Sequence, residues 1–402
     1  MRLLYLPFSF SLALLLAAGC GSKGGGGTTG TAGTTGTGGT GGGSPPPPPG
    51  LAAGGPFKFP QNMKSGSCTI SSAANGSTAT SAAYNSWKST FVTTNGAGGF
   101  LRVQSPQHNG GTVSEGIGYG MIAAVYMYDR PTFDALWSYA QSHFDSKGLM
   151  NWQITSAGAT STNPNGNGSA TDADEDMAWA LLMASDQWVS QTYLDDARAL
   201  IDAMYGTEIA GDGTLKPGDN WGDTTYYPDY FSPAYYRVFA RATDNPVWAG
   251  VIIDRNYTLL ASLSGPNGLV PDKSDTVTLS TSTNYGYDAC RAPWRIAMDY
   301  CFNGEARAKA YLDKIGPFFN NINPVSNIAD GYSNSGSQTS GNHNMAFIGS
   351  AGVAGMAGWQ SLLDGAYTFG AAGAGDNNYF TNSLRVVFML MMSGNFLDYA
   401  HQ

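Results

Sequence analysis

Charge is scarce in this chain. Lys, Arg, Asp and Glu make up 12% of its 402 residues, about half the share usual in soluble domains. Basic residues are the rarer sign: 20 Lys+Arg stand against 29 Asp+Glu, a formal charge of −9. A nucleic-acid partner requires a basic surface that neutralises phosphates, so that class is excluded. Cysteine is equally thin. Four residues cannot staple a small scaffold, and a chain this long needs no such staples. The histidines, His108, His143, His343 and His401, fall in no HxxxH pairing, and no CxxC occurs. A zinc site is therefore not expected, and no metal or cofactor is called for. Gly116, Gly118 and Gly120 do not complete a G-x-G-x-x-G fingerprint, and no strand pattern precedes them. Ser114 lies in T-x-S-x-G rather than G-x-S-x-G, which removes the serine elbow.

Hydrophobic residues, at 42%, are ample for a large core, and aromatics reach 12%. Few charges with many Trp and Tyr suit an extracellular protein that handles uncharged polymers. Residues 1–20 place Arg2 before an apolar run that ends in small residues and Cys20. This pattern is an export signal, too short to read comfortably as a membrane span. Leu16-Ala-Ala-Gly-Cys20 resembles a bacterial lipobox, with its large aliphatic residue one place farther from the cysteine than usual. Lipid on Cys20 is expected, and with it an exported, outer-surface lipoprotein that meets the membrane only through that anchor. Cleavage by an ordinary signal peptidase is the alternative, and would give a freely secreted product.

Residues 21–54 are a linker, Gly/Thr-rich and then proline from Pro45 to Pro49. The first part is a flexible coil reaching roughly 25–30 Å, and the second a stiff spacer of about 15 Å. No second low-complexity break follows, so 55–402 reads as one domain, expected to be a monomer. Helical periodicity recurs in eleven segments: 77–92, 115–129, 131–145, 172–189, 192–206, 231–243, 246–263, 288–302, 303–321, 343–361 and 379–393. Ser114 before Glu115, Arg130-Pro131 and Asn245-Pro246 are start signals. The long connections 153–170, 207–230, 264–287 and 322–342 are rich in Gly, Asn, Ser and Thr. Eleven readable helices, with a twelfth easily missed, predict an all-α toroid of paired helices. Long loops on one rim would form its cleft.

Three acidic segments sit at loop-to-helix junctions. Glu115 falls in a first helical turn, where the helix dipole lowers a carboxyl pKa. Service as a general acid needs the opposite shift, from burial or a neighbouring carboxylate. Without it, Glu115 is an ordinary helix-start residue. The second segment spaces Asp172, Asp174 and Asp176 like a calcium loop, but Met177 and Met183 stand where Gly and Glu are needed. Acids at a helix start, followed by a buried face of Met177, Leu181, Met183, Ala184 and Trp188, are the plainer reading. In the third, Asp288 and Arg291 are three apart and share a helix face. They make a simple charge pair there, or Arg291 orients Asp288 or a substrate hydroxyl.

Together these segments resemble glycoside hydrolase family 8. Ala170–Trp188 matches the family signature position for position. Ser-Glu-Gly-x-x-Tyr-Gly-Met from Ser114 and Tyr-Asp-Ala-x-Arg-x-Pro-Trp-Arg from Tyr287 are its other marks, in the family's order. Leu149–Trp152, Asp219–Gly222, Tyr230–Arg237 and Tyr379–Arg385 are similar too, so the resemblance covers roughly 56–396. It implies an (α/α)6 barrel and metal-free, inverting hydrolysis of β-1,4-linked polysaccharides. By the same resemblance Glu115 is the general acid, Asp288 the general base, and Asp172 holds the sugar at the cleavage point. Asp174 and Asp176 are then structural. Tyr287 and Arg291 join the same subsite. Trp152, Trp221 and Tyr379 are candidates for stacking on sugar rings, each with core packing as the alternative. Asp288 argues against the chitosanase-like branch, and the Ala-Thr-Asp-Ala-Asp form is similar to the endoglucanases. Xylanase is the second reading, and a non-catalytic polysaccharide-binding protein the third, which the presence of both Glu115 and Asp288 disfavours.

With Cys20 set aside, Cys68, Cys290 and Cys301 allow at most one internal disulfide. Cys290 and Cys301 would lie about 16 Å apart along a helix, beyond the ~7 Å between Cα atoms that a bridge spans. These two are expected not to be bonded to each other.

Overall fold

Two kinds of helix alternate along the chain. In the computed structural model, which describes residues 56–279 and 284–399, α2 (Ser114–Tyr126), α4 (Thr171–Gln187) and α10 (Met345–Gly355) are buried on nearly every face. By contrast α3 (Arg130–Ser142), α5 (Gln191–Thr207) and α9 (Ala306–Asn320) bury one stripe and expose the other. A helix apolar all round must be enclosed, and a one-sided helix must cover something. The remaining helices are α1 (Thr78–Phe91), α6 (Pro233–Thr243), α7 (Ile253–Leu263), α8 (Ala292–Asn303), α11 (Gln360–Ala372) and α12 (Tyr379–Met392). Even-numbered helices form an inner ring in which α2 packs on α4, each packs on the next, and α12 returns to α2. Odd-numbered helices lie outside, α3 on α2, α5 on α4, α7 on α6, α9 on α8, α11 on α10 and α1 on α12. This is the (α/α)6 barrel.

Close approach within the ring depends on small residues. A Cβ added to Gly118 of α2 would come within 2.8 Å of the Asp176 Cβ on α4. The helix absent from the eleven read in the sequence is α11. The stretch read as 343–361 breaks after Gly355, and Gly365 and Gly370 interrupt the apolar spacing of the helix that follows. Segment 246–263 begins as a π-helical turn, Trp248–Ile252, before α7 proper.

Connections that follow inner helices are short, such as 127–129, 188–190, 304–305 and 356–359. Those that precede them are longer: 92–113, 143–170, 208–232, 264–291 and 321–344. The long loops therefore gather where the inner helices begin. A small antiparallel pair, Thr112–Val113 with Gln153–Ile154, ties the start of α2 to the loop carrying Trp152. Cys68 and Cys301 form a disulfide with Cα atoms 5.0 Å apart, while Cys290 is free and buried in the turn before α8. Cys290 and Cys301 are thus unbonded to each other, as expected. Residues 1–54, with Cys20 and the linker, lie outside the described residues. Among the described residues no helix is long and apolar enough to cross a membrane.

Candidate active site

Arg291, in the turn before α8, is 2% exposed. Its Nη1 donates to Asp172 Oδ2 at 2.7 Å, to Glu115 Oε2 at 3.0 Å and to the Tyr119 hydroxyl at 3.0 Å. Its Nη2 meets Asp229 Oδ2 at 2.7 Å and Asp288 Oδ1 at 3.2 Å. The rings of Tyr230 and Phe380 pack on the guanidinium, each 5.6 Å from ring centre to Cζ. One buried cation thus gathers carboxyls from the starts of α2 and α4, the loop before α6 and the turn before α8. Among the described residues no cluster of His, Cys, Asp or Glu is arranged to hold a metal ion. Arg291 supplies the positive charge here.

Four acids around one arginine cannot all be neutralised by it, and Glu115, Asp229 and Asp288 are each raised, by burial first and then by neighbouring acids. Glu115 is half-buried. Its carboxyl is pushed up to about 7, chiefly by burial, against the pull of Arg291 and with help from Asp172. Burial overrides the helix dipole, which alone would have lowered it. Oε1 of Glu115 accepts a hydrogen bond from the Tyr379 hydroxyl. Asp288 is more open, its side chain 46% exposed. It is pushed up to about 6, again first by burial, with Arg291 opposing and Asp272 and Asp172 reinforcing. The turn carrying it is fixed by Asp272 Oδ1, which accepts the N–H groups of Gly286, Asp288 and Ala289 at 2.9, 3.1 and 2.9 Å. Asp172 uses Oδ2 on Arg291, while its buried Oδ1 has no hydrogen-bond partner among the described residues. On opposite arms of a single guanidinium, Glu115 therefore keeps its proton to higher pH than Asp288 does. The pair can deliver a proton at one point and accept one at another.

The acids lie in a trough. A central cavity of ≈ 190 Å³ contains Glu115, Asp172, Asp288 and Arg291. It shares Trp152, Ala170 and Tyr230 with a cavity of ≈ 400 Å³ that also holds Asn165, Trp221 and Tyr227. On its other side it shares His108, Glu115 and Asp288 with a cavity of ≈ 220 Å³ lined by Gln107, Tyr287 and Phe380. The outer cavities share no residue, so the trough runs past the acids on both sides. A larger cavity of ≈ 480 Å³ lies between α7 and α9 and contains none of these groups.

Every site residue read from the sequence within the described region borders this trough or the cation at its centre. Trp152 is oriented by its Nε1, which donates to the Asn165 carbonyl at 2.8 Å. Trp221 stands 48% exposed on the rim. Tyr287 is 41% exposed, its hydroxyl donating to Asp330 at 2.6 Å and accepting from Asn344 at 2.9 Å. Tyr379 departs from the expectation of a stacking platform: it is 3% exposed and enters the site through its hydroxyl. Asp174 and Asp176 turn away from the trough. Asp176 forms a two-pronged ion pair with Arg295, and Asp174 faces Glu208 as a second buried carboxyl. Because α4 is enclosed on all sides, successive acids meet different neighbours. Tyr119, Asp229, Asp272, Phe380 and His108 were given no role from the sequence. Tyr119 and Phe380 lie inside motifs of the family and Asp229 one place before another, so adjacency is the available signal. For His108 there is none.

The family model of glycosyl hydrolases family 8 matches residues 57–394. The chain is 39% identical over 330 residues to endoglucanase A of Acetivibrio thermocellus, covering 78% of this chain and 69% of that protein. It is 37% identical over 356 residues to endoglucanase C of Ruminiclostridium cellulolyticum, covering 85% and 77% respectively. The solved beta-1,3-1,4-glucanase from Paenibacillus sp. X4 superposes with a TM-score of 0.78 at 31% identity, covering 86% of this chain and 100% of that one.

Proposed function

The chain belongs to glycosyl hydrolases family 8, and from that premise we propose that this endo-acting glycoside hydrolase cleaves β-1,4-glucan with inversion, taking cellulose and mixed-linkage glucan. The observation that carries the reading is the pair of carboxyls on Arg291, Glu115 at about 7 and Asp288 at about 6. Glu115 enters protonated and gives its proton to the glycosidic oxygen as that bond breaks. Asp288, ionised, takes a proton from the water that attacks the anomeric carbon from the opposite face. The step is a single displacement, and solvent then resets both groups. Arg291 and Tyr379 stabilise the carboxylate that Glu115 becomes. The surrounding acids favour the positive charge that grows on the sugar. The free Oδ1 of Asp172 is the acceptor for a hydroxyl of the held sugar, which otherwise leaves a buried oxygen unsatisfied.

A trough continuing past the acids on both sides suits internal cleavage of a long chain, and Trp152, Trp221 and Tyr287 offer apolar faces for sugar rings. The relatives named as endoglucanases and a glucanase support glucan over xylan. We further propose that the protein is exported, that lipid on Cys20 anchors it, and that residues 21–54 tether a single catalytic domain, 55–402, which works as a monomer. Reducing ends should rise, with a rapid fall in viscosity, on carboxymethylcellulose and lichenan, and far less on xylan or chitosan. The anomer first released, followed by NMR, should be α. First appearance of the β-anomer would mean a covalent intermediate and would overturn the role given to Asp288.

A further inference from the structure

His108 borders both the central cavity and the smaller flanking one. Its Nδ1 is taken by the Ser105 hydroxyl at 2.7 Å, and its ring lies edge-on to Tyr379, centroids 6.1 Å apart. The turn beneath it is clamped: Ser105 N–H donates to the Gly111 carbonyl at 2.7 Å and Gly111 N–H to the His108 carbonyl at 2.9 Å. The buried Arg102 holds the Gly110 carbonyl at 2.8 Å. The imidazole is thus fixed, while Nε2 has no hydrogen-bond partner among the described residues. Burial lowers the pKa of His108, which favours the neutral ring. A sugar hydroxyl both donates and accepts, and so suits either tautomer.

The trough has a direction, on the reading that Glu115 is the acid. Asp172, which holds the retained sugar, borders the central cavity alone. Of the two flanking cavities, one is lined by both Glu115 and Asp288, the pair that straddles the broken bond, and the other by neither. The proton goes to the oxygen that leaves, so the cavity with Glu115, Gln107 and His108 receives the departing sugar.

We propose that His108 is a substrate-binding residue for the leaving group, its Nε2 hydrogen-bonding a hydroxyl of the sugar that departs with the glycosidic oxygen. It selects for a saccharide on that side of the bond and takes no part in proton transfer.

The test compares His108→Ala with wild type on an oligosaccharide that the wild type cleaves and on a nitrophenyl glycoside of the same retained sugars. The aryl leaving group offers no hydroxyl to Nε2. Loss of one hydrogen bond should lower kcat/KM on the oligosaccharide about 5–10-fold, while the aryl glycoside changes less than about twofold. His108→Asn, which keeps a polar atom for Ser105, should show the same selective loss if the alanine variant folds poorly. Equal losses on both substrates would make His108 a prop of its loop, and no loss on the oligosaccharide would remove it from the subsite. Either result overturns the proposal while leaving the acid and base untouched. Glu115→Gln, run in parallel, should also spare the aryl glycoside, but with a far deeper loss on the oligosaccharide. Failure there would sink the acid assignment, and the direction of the trough with it.

Discussion

Tyr379 and Glu115, 264 positions apart in the chain, meet through one hydrogen bond from phenol to carboxyl. The bond favours the ionised carboxylate and so pulls the Glu115 pKa down against the larger push of burial. Removing the hydroxyl in Tyr379→Phe should let that pKa rise. The alkaline limb of kcat/KM should then move to higher pH, with kcat reduced because the product carboxylate has lost a donor. A ring that served as a stacking platform would give a different signature, a raised KM with the limb unmoved. The pH profile of the variant separates the two.

The wild-type profile itself should be a narrow bell. Activity falls on the acid side as Asp288 takes a proton near pH 6, and on the alkaline side as Glu115 loses one near pH 7. Glu115→Gln and Asp288→Asn should each cost about 10²–10⁴-fold in turnover with the fold and oligosaccharide binding retained. Asp172→Asn should also lose activity, through sugar positioning, and its loss should depend little on the leaving group. Retained near-normal activity in Glu115→Gln on an unactivated glucan would place the acid elsewhere.

How far the site was legible follows from how local each signal is. Glu115, Asp172 and Asp288 sit at helix starts or one turn before them, and the Asp288–Arg291 contact is a three-residue spacing. Short-range rules see such features. Asp229 carries no local mark: it matters because a loop before α6 brings it to Arg291 at 2.7 Å. Asp272 fixes the turn of Asp288 from 16 positions upstream, a contact between loop segments that periodicity cannot register. Tyr379 was legible as a site residue but not in its role, since ring or hydroxyl is decided by packing against α2. The toroid was readable from helix count because nearly every helix carries its own periodic apolar spacing. Its missed member, α11, has glycines where its neighbours leave no room: a Cβ on Gly365 would meet Val325 at 2.7 Å and one on Gly370 would meet Met345 at 2.8 Å.

Lipid on Cys20, as proposed, would decide where the enzyme works. The cysteine's lipobox-like setting precedes a Gly/Thr stretch and five prolines, whose combined reach of roughly 40 Å would let an anchored domain range over an insoluble chain. Wild-type protein should partition with membranes and carry lipid on Cys20, and Cys20→Ala should be released or mislocalised. Full recovery of unlipidated wild type from the medium would leave ordinary secretion as the route.

Stability should fall as pH rises, and the buried pair Asp174–Glu208 is a main reason. Two carboxyls that face each other out of water cannot both ionise cheaply, so they are expected to share a proton. Asp174 is raised well above its ordinary value, by burial first and then by Glu208, and Glu208 is pushed up to about 7, by burial first. Groups whose folded pKa is raised contribute stability in full below their unfolded pKa, and that contribution is lost as pH climbs through the folded value. For Glu208 the loss runs from about 4.5 to about 7. The melting temperature should therefore drop between mildly acidic and mildly alkaline buffer. Glu208→Gln should flatten that drop, because an amide can accept from Ser169 and donate to Asp174 without a shared proton. The pair also has a structural reach. Ser169 donates its hydroxyl to Glu208 at 2.5 Å and its N–H to Asp219 at 2.9 Å. That chain fastens the start of α4, and hence Asp172, to the loop that carries Trp221. Ionising both carboxyls should loosen this corner first, so hydrogen exchange at Ser169 and in the 208–222 loop should quicken with pH beyond the intrinsic rate in wild type and less so in the variant. Identical melting and exchange profiles for the two proteins would show that the pair does not share a proton.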